Sequence, residues 1–383
     1  MHILQTPVRF SPHIGGVETY VHDLSKNLIK LGHDVSVVCA KVNPITDHHE
    51  QMDDIDVHRL SSIGSIANTN LTPTLPIALY RQAQAADIIH THLPTPWSAD
   101  LSALVGAATG TPVVLTYHND IIGEGLADYV ARLYNQTMLQ ITLRLVDTII
   151  ITQPDYCDDS PHLRPYQNKI EVVHNGVDVN RFRPVTIDDA ERSRLGFDTD
   201  RPNVFFLSVL DGHHGYKGLD VLLRAFSLLA DRSETVPHLL VGGGGEARAQ
   251  YEQQAKVLGV EDYVTFLGYV EEDDLVAYYS EADLFGLPSL SSDQEGFGLV
   301  LLEALASGTP VVTTDVVGVS DAVSSNDIGE VVPRDDPAEL ATAIDRLLSS
   351  GFDPDDARTL CKDEYSWRSS AEQIEHIYSE LCR

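Results

Sequence analysis

Two glutamates bracket a glycine-rich turn in the segment Glu295-Gly-Phe-Gly-Leu-Val-Leu-Leu-Glu303. The apolar run predicts that a helix begins at this turn, and the free backbone amides and positive dipole of such a helix end attract phosphate. Glu303 lies six residues beyond Phe297, which is roughly 9 Å along a helix axis. This reach suits a nucleotide whose diphosphate lies at the helix end and whose ribose hydroxyls bond the second carboxylate.

The same segment, followed by Ala-Leu-Ala-Ser-Gly-Thr-Pro-Val, resembles the signature of retaining GT-B glycosyltransferases of glycosyltransferase family 4, the glycosyl transferases group 1. The resemblance implies that Glu295 contacts the donor sugar and that Glu303 binds the ribose. It also implies that the diphosphate is held by the amides of Gly296, Phe297, Gly298 and Leu299. A buried helix with a solvated glutamate at each end gives the same spacing, but the intervening glycines favour the functional interpretation.

A second group of candidates lies in Leu207-Ser-Val-Leu-Asp-Gly-His-His-Gly-Tyr-Lys217-Gly218, between a predicted strand and a predicted helix. The resemblance implies that Lys217 neutralises the leaving diphosphate, and electrostatic stabilisation of this kind is often the largest contribution to catalysis. Relatives also carry an arginine shortly after this strand, where Val209 stands in this chain. His213 or His214 could supply the missing positive charge, and we include His214 in the predicted donor site.

Three further loops complete the predicted donor site. Pro12-His-Ile-Gly15-Gly16-Val-Glu18 resembles the family's glycine loop, which closes over the donor phosphate or the acceptor, and glycine allows the backbone to approach a ligand closely. Gly244 lies in a glycine run that resembles the donor-side loop of the family, although simple flexibility explains such a run equally well. The backbone of Val270 is expected to contact the nucleobase. The dinucleotide fingerprint G-x-G-x-x-G is absent from the N-terminal loop, which disfavours a dehydrogenase.

A histidine follows an apolar strand in Thr116-Tyr-His118-Asn-Asp120. The resemblance implies that His118 lines the cleft beside the reacting sugar carbon. There its ring could donate to a sugar hydroxyl, or its carbonyl could stabilise positive charge. Together with Lys217 and Glu295, it forms the predicted catalytic set. A histidine after a strand is also often a satisfied polar group, and His90 and His92 are predicted to play such a supporting part.

Short apolar strands alternate with amphipathic helices along most of the 383 residues, which is typical of parallel sheets covered on both faces. The strand pattern starts afresh near 204–209, and the charged, proline-rich segment 181–202 is predicted to be a linker. The resemblance implies an α/β fold of the GT-B type, with two facing Rossmann-like doubly wound domains. These are an acceptor domain over 1–184, a nucleotide-sugar domain over 185–365 and a terminal helix over 366–383 that crosses back to the first domain.

The formal net charge is −31, from 57 acidic and 26 basic residues. Such a surface repels nucleic acid and anionic membranes, so no nucleic-acid partner is expected. No apolar run is long enough for a transmembrane segment, and the N-terminus lacks the pattern of a signal peptide. We expect a cytoplasmic protein, with possible peripheral contact at the cytoplasmic face of the membrane through residues around Ile121, Ile122 and Leu126, although core packing explains these residues better.

These observations predict transfer of a sugar from a nucleoside diphosphate sugar to an acceptor hydroxyl, with retained anomeric configuration. The expected acceptor is a glycan, a lipid-linked acceptor or a small polyol. No cofactor and no essential metal are expected, and the Asp-x-Asp strings at 54–56 and 198–200 are interpreted as acidic surface. A nucleotide-sugar epimerase and a non-catalytic nucleotide-sugar-binding protein remain as alternatives.

The charge balance also predicts a halophilic source. At molar salt the Debye length is about 3 Å and self-repulsion is screened, whereas at 0.01 M it is about 30 Å. We therefore expect the fold and the activity to be lost on dialysis to millimolar salt. Circular dichroism and a transfer assay before and after dialysis measure this, and full retention at low salt would contradict the prediction.

Overall fold

The computed structural model describes residues 1–13, 15–43, 45–66, 69–121, 125–154, 156–232, 235–292, 294–295, 297–349 and 351–383. The chain divides into two compact units. Unit 1 comprises Met1–Asn175 and Trp367–Arg383, and unit 2 comprises Gly176–Ser366.

The elements of the first half of the chain begin with a strand, a helix and a second strand, and they continue in strand–helix alternation. They are β1 (His2–Thr6), α1 (Gly16–Lys30), β2 (Asp34–Lys41), β3 (His49–Met52), β4 (Ile55–Ser61), β5 (Ser65–Ile66), β6 (Thr69–Asn70), α2 (Leu75–Ala83), β7 (Ile88–Leu93), α3 (Ser98–Thr109), β8 (Val113–Tyr117), α4 (Leu126–Gln136), α5 (Met138–Leu145), β9 (Thr148–Ile151), α6 (Tyr156–Asp159) and β10 (Ile170–Val172).

The second half repeats this alternation and ends in helices. Its elements are α7 (Asp189–Leu195), β11 (Asn203–Leu207), α8 (Leu219–Arg232), β12 (His238–Gly242), α9 (Arg248–Leu258), β13 (Val264–Gly268), α10 (Glu272–Glu281), β14 (Leu284–Leu287), α11 (Leu299–Ala306), β15 (Val311–Thr314), α12 (Ser320–Ser325), β16 (Gly329–Val332), α13 (Pro337–Ser349), α14 (Pro354–Asp363) and α15 (Trp367–Leu381). Short 3₁₀ helices lie at Arg164–Lys169, Gly215–Lys217 and Glu261–Tyr263.

The main sheet of unit 1 has the strand order β10-β9-β8-β7-β1-β2-β4-β3 within the described residues. Its pairings are parallel, except that β3 runs antiparallel to β4. The chain builds outward from β1 on one side through β2 and on the other through β7. The strand order therefore reverses between β1 and β7, and the loops after these strands share one edge of the sheet.

Unit 2 has a parallel sheet with the order β13-β12-β11-β14-β15-β16 in the part of the chain that the structure describes. The strand order reverses here between β11 and β14. Helices α8 and α11 contribute buried leucines to a core that also contains the sheet residues Phe205, Phe206 and Phe285. The predicted α/β class with two doubly wound, Rossmann-like domains is confirmed.

The first division between the units falls at Asn175–Gly176, nine residues before the predicted boundary at 184–185. The intervening segment belongs to unit 2 because its apolar side chains are buried there. Phe182 lies in the unit 2 core, and the Arg358 guanidinium donates to the carbonyls of Val179 and Phe182.

The predicted linker over 181–202 is likewise part of unit 2. It contains α7, whose first turn is capped by the Asp188 carboxylate, which accepts from the amide of Glu191 at 2.8 Å. Leu195 and Phe197 from this segment are buried in the unit 2 core. Charge and proline content suggested a linker, but these few apolar side chains are enough to attach the segment to the unit.

Helix α15 packs in unit 1, against α1. Its buried residues Trp367, Ala371, Ile374 and Tyr378 share a core cluster with Val21 of α1. The C-terminal residues thus complete the first unit rather than the second. The second division, at Ser366–Trp367, lies one residue from the predicted position.

Most of the sheet strands match the predicted apolar runs, but the β3–β4 hairpin was missed because β3 reads His-Glu-Gln-Met. The apolar residues proposed for membrane contact give little support to that idea. Ile121 is half-buried and packs against the unit 1 core, Ile122 lies outside the described residues, and the side chain of Leu126 is also not described. Among the described helices, none combines the length and the apolar character needed to span a bilayer.

Candidate active site

The two predicted catalytic charges of unit 2 lie in loops that follow neighbouring strands. Lys217 ends the loop after β11, and Glu295 lies in the loop after β14. These strands flank the point where the strand order reverses. In open parallel sheets, ligands bind beyond the carboxyl ends of the strands at such a point. The topology alone therefore marks this edge of unit 2 as a candidate binding site.

Lys217 and Glu295 contact each other directly. The Lys217 Nζ atom lies 2.8 Å from Glu295 Oε1, and the hydroxyl of buried Ser289 donates to the other carboxylate oxygen at 2.5 Å. The Glu295 side chain is only 3% exposed, while that of Lys217 is 18% exposed. The two side chains that were predicted to contact different parts of the donor thus form one ion pair, in which Glu295 is buried and Lys217 is partly exposed.

The loop after β11 lies so close to the loop after β14 that no side chain fits at Gly218. This glycine has φ = 78°, and a Cβ atom here would lie 1.9 Å from the carbonyl oxygen of Pro288. Nearby, the amide of Leu290 donates to the carbonyl of Tyr216 at 2.7 Å. A glycine is therefore required after Lys217, because it lets the loop after β11 lie against the loop after β14.

His214 is positioned by a carboxylate of its own loop. Its Nδ1 atom lies 2.7 Å from Asp211 Oδ1, which also accepts from the amides of His213 and His214 at 2.9 Å. Val209, at the place of the expected arginine, is 52% exposed. Of the two histidines considered for the missing charge, His214 is therefore the one whose ring has a carboxylate partner in this loop.

Helix α11 begins at the predicted glycine turn. Gly298 has φ = 82°, and a Cβ atom here would lie 2.5 Å from the Val317 side chain. The Phe297 side chain is buried in the unit 2 core, so it can contribute to a ligand site only through its backbone. Within the described residues, no side chain caps this helix, whose first residue is Leu299. The first amides of a helix lack intrahelical partners and can bind an anion. Gly296 lies outside the described residues.

The hydrogen-bond partner of Glu303 is a tyrosine hydroxyl. The Tyr279 hydroxyl donates to Glu303 Oε2 at 2.8 Å. Burial raises the pKa of Glu303 to about 7, although the bond from Tyr279 opposes this shift. Burial also raises the pKa of Tyr279 well above its ordinary value, and the neighbouring carboxylate adds to this effect. Glu303 can therefore change between a neutral acid and a carboxylate near neutral pH.

The glycine run after β12 is packed against the loop after β11. A Cβ atom at Gly243 would lie 1.7 Å from the Ser208 carbonyl oxygen, and one at Gly245 would lie 2.0 Å from the Leu210 carbonyl oxygen. A Cβ atom at Gly244 would come no closer to any described atom than 3.9 Å. Close backbone packing thus explains why Gly243 and Gly245 are glycines, whereas Gly244 has open space beside it.

Val270 lies in the same region of unit 2, just after β13. Its side chain is half-buried, and a Cβ atom at Gly242 would lie 3.0 Å from the Val270 Cγ2 atom. Tyr269 next to it is 74% exposed. The backbone at 269–270 therefore borders the glycine run.

The predicted glycine loop of unit 1 follows β1. Gly16 is the first residue of α1, and a Cβ atom there would meet no described atom within 4 Å. At Gly15, a Cβ atom would lie 2.3 Å from the Glu18 carboxylate. That carboxylate forms an ion pair with Arg9 (3.3 Å) and approaches His13 (3.9 Å). The loop is therefore open at Gly16 and filled by an acidic side chain at Gly15.

His118 belongs to a row of stacked rings in unit 1. Its ring lies 5.7 Å from that of His92, which stacks on His90 at 4.6 Å. Burial lowers the pKa of His118 to about 4 and that of His90 to about 3. The rings are therefore neutral at neutral pH. His90 is hydrogen-bonded to Thr116 and Tyr378. The buried Nε2 atom of His118, in contrast, has no hydrogen-bond partner within the described ranges.

Three residues that contact the predicted set were not identified from the sequence. They are Ser289 beside Glu295, Tyr279 beside Glu303 and Asp211 beside His214. Ser289 could have been found as a polar residue directly after a strand at the reversal point. Tyr279 lies on α10, and no short-range pattern connects it with Glu303.

Comparison with known proteins agrees with these features. The profile described as Glycosyl transferases group 1 matches residues 187–376, and the one described as Glycosyltransferase Family 4 matches residues 14–181. A D-inositol 3-phosphate glycosyltransferase from Streptomyces scabiei is 30% identical, over 76% of this chain and 68% of its own length.

Two solved structures share the fold over nearly the whole chain. Sucrose-phosphate synthase from Thermosynechococcus elongatus has a TM-score of 0.71 and 25% identity, with coverage of 99% of this chain and 98% of its own. Anabaena HepE, solved in complex with UDP, has a TM-score of 0.75 and 20% identity, with coverage of 99% and 100%. By sequence and by fold, the chain belongs to the group 1 glycosyltransferases of the GT-B type.

Proposed function

We propose that this glycosyltransferase moves a sugar from a nucleoside diphosphate sugar to an acceptor hydroxyl, with retention of anomeric configuration. The observation that carries the proposal is the buried Lys217–Glu295 pair at the reversal point of unit 2. Related structures support the donor class, because Anabaena HepE was solved with UDP and with UDP-glucose. The acceptor is a glycan, a lipid-linked acceptor or a small polyol.

In this mechanism Lys217 exchanges partners when the donor binds. The donor diphosphate lies at the first amides of α11 and takes part of the positive charge that Glu295 neutralises in its absence. As the bond from the anomeric carbon to the diphosphate breaks, negative charge grows on the leaving oxygen, and Lys217 and the amides oppose it. The acceptor oxygen bonds to the same face of the carbon, and its proton passes to the departing diphosphate.

Three other residues orient the substrates in this proposal. Glu295, held by Ser289, accepts from hydroxyls of the transferred sugar. Glu303, once ionised, accepts from the ribose hydroxyls, and this bond offsets the cost of its burial. His118 of unit 1, whose ring is neutral, donates to a substrate hydroxyl without adding positive charge. No metal or cofactor takes part in any of these steps.

A screen identifies the donor and separates transfer from the alternatives. Nucleotide sugars are tested in high salt for a rise in melting temperature, because ligand binding stabilises the folded state. With the best donor, release of free nucleoside diphosphate should require added acceptor. An epimerase releases none, and a binding protein gives stabilisation without turnover.

Replacing Lys217 by methionine should lower kcat on the order of 10²-fold or more, because the charge that opposes the leaving group is lost. The variant also leaves Glu295 buried without its partner, which should cost about 3 kcal/mol of unfolding free energy. Turnover is therefore measured where circular dichroism shows a folded protein. Lys256→Met, on exposed α9, is the matched control, and unchanged turnover in Lys217→Met would remove Lys217 from the mechanism.

Gly218→Ala should displace Lys217, because the added Cβ atom would lie 1.9 Å from the Pro288 carbonyl oxygen. Gly259→Ala is the control, since Gly259 also has a positive φ (69°) but a Cβ atom there meets nothing within 4 Å. Both variants bear the cost of a positive φ, about 1 kcal/mol. Denaturant unfolding and turnover should show a further loss only in Gly218→Ala, and equal losses in the two variants would contradict the close approach.

Donor affinity should rise with pH through about 7, because the ionised Glu303 carboxylate accepts stronger hydrogen bonds from the ribose hydroxyls than the neutral acid does. Calorimetry between pH 6 and 8 with the best nucleotide sugar measures this. Glu303→Gln should bind more weakly and show a flat pH profile, whereas Glu261→Gln, at an exposed position, should behave as the parent protein does. A flat profile in the parent protein would contradict the ribose role.

Glu303→Gln should weaken donor binding but stabilise the folded protein above neutral pH. The pKa of Glu303 is raised in the folded state, so its stabilising contribution is full below about 4.5 and is lost as pH rises through 7. Glu303→Gln should therefore be more stable than the parent protein at pH 8, by up to about 3 kcal/mol, and little changed at pH 4.5. Unfolding measurements at the two pH values test the sign.

A further inference from the structure

The β3–β4 hairpin lies at the outer edge of the unit 1 sheet. Its turn residues Asp53 and Asp54 have φ values of 51° and 64°, the backbone of a two-residue hairpin turn that matches the strand twist. The turn fixes the register, in which Met52 faces Ile55 and His49 faces His58. The two histidines are therefore cross-strand neighbours at the open end of the hairpin.

Contacts on both sides of the hairpin hold this register. The His22 ring of α1 lies 2.8 Å from the Asp53 carboxylate in the turn. On the inner face, the buried Arg59 guanidinium bonds to the Glu50 carboxylate and to the carbonyl of Ser11. Because side chains alternate along a strand, the neighbours of Glu50 and Arg59 must point to the other face.

That other face brings together two imidazoles and one carboxylate. His49 Nε2 lies 2.5 Å from Asp56 Oδ1, and His58 Nε2 lies 3.0 Å from Asp56 Oδ2. The two rings are stacked, with centroids 4.4 Å apart and an angle of 13° between their planes. The ligand atoms of the three residues all lie within 4.8 Å of one another. We call these three residues the His–Asp–His cluster.

We propose that the His–Asp–His cluster binds a divalent transition-metal ion of the Zn²⁺ class, with water in the remaining positions. Imidazole nitrogen and carboxylate oxygen are suitable ligands for such ions, at about 2.0–2.2 Å. Tetrahedral coordination at these lengths places neighbouring ligand atoms roughly 3.3 Å apart, so only small side-chain rotations are needed. The 62% exposure of the His49 side chain leaves room for them.

The strongly acidic chain adds to the attraction for a cation. The cluster belongs to unit 1 and contains none of the residues used in the proposed transfer. Its effect is structural: an ion shared by β3 and β4 closes the open end of the hairpin, whose other end is already closed by the turn. Asp56, interpreted from the sequence as acidic surface, thereby acquires a specific role.

The test is titration of the full chain with Co²⁺, followed by its visible absorption, and with Zn²⁺ by calorimetry in high salt. We expect one ion per chain and a rise in melting temperature with Zn²⁺. His49→Gln and His58→Gln should each weaken binding at least 10-fold, the lower end of the effect of losing even an outer-sphere partner. Asp56→Asn, which keeps the shape of the side chain, should also weaken it.

His376→Gln is the matched control, because His376 is an exposed histidine 3.6 Å from a carboxylate, that of Glu380 on α15. It should bind both ions as the parent protein does. The proposal is overturned if the parent protein binds neither ion saturably at millimolar concentration. It is equally overturned if His49→Gln and His58→Gln, shown by circular dichroism to be folded, keep the parent affinity, since the ion then lies elsewhere, for example at a cysteine.

Discussion

The close approach of two loops at the reversal point of unit 2 is the constraint on which its candidate site depends. Gly218 lies against the Pro288 carbonyl, and the amide of Leu290 bonds to the carbonyl of Tyr216. These contacts bring a lysine from one loop within 2.8 Å of a glutamate from the other. A buried charge without a partner is costly, so each residue of the pair requires the other while no ligand is present. A polyanionic ligand that enters beside Lys217 changes that balance directly.

The second carboxylate of the signature is stabilised much less well. Glu303 has a tyrosine hydroxyl as its hydrogen-bond partner, and burial raises its pKa to about 7. A glutamine of the same shape would avoid this cost, and strongly perturbed carboxylates are typical of functional sites. Unit 2 thus contains one glutamate that is paired with a lysine and one whose hydrogen-bond partner is a neutral tyrosine.

The apolar pattern was sufficient to predict the α/β class and most sheet strands, because buried parallel strands are continuous apolar runs. The apolar pattern failed where only a few side chains determine how a segment folds. Phe182, Leu195 and Phe197 attach a charged, proline-containing segment to unit 2, and the polar strand β3 pairs through its backbone. At the site, the motif located Lys217 and Glu295 but not their mutual contact. The two residues are 78 positions apart in the chain, and only the sheet order makes the strands that precede them neighbours.

The burial of His118 in unit 1 also depends on residues that are distant from it in the sequence. Tyr20 of α1 packs edge-on against the His118 ring at 4.7 Å, and Trp367 of α15 packs against Tyr20 at 5.2 Å. Tyr378, also on α15, is hydrogen-bonded to His90, which stacks on His92, the ring beside His118. The burial that lowers the pKa of His118 to about 4 therefore depends partly on residues at the very end of the chain. Because α15 completes this unit, the C-terminal helix helps to keep the His118 imidazole neutral.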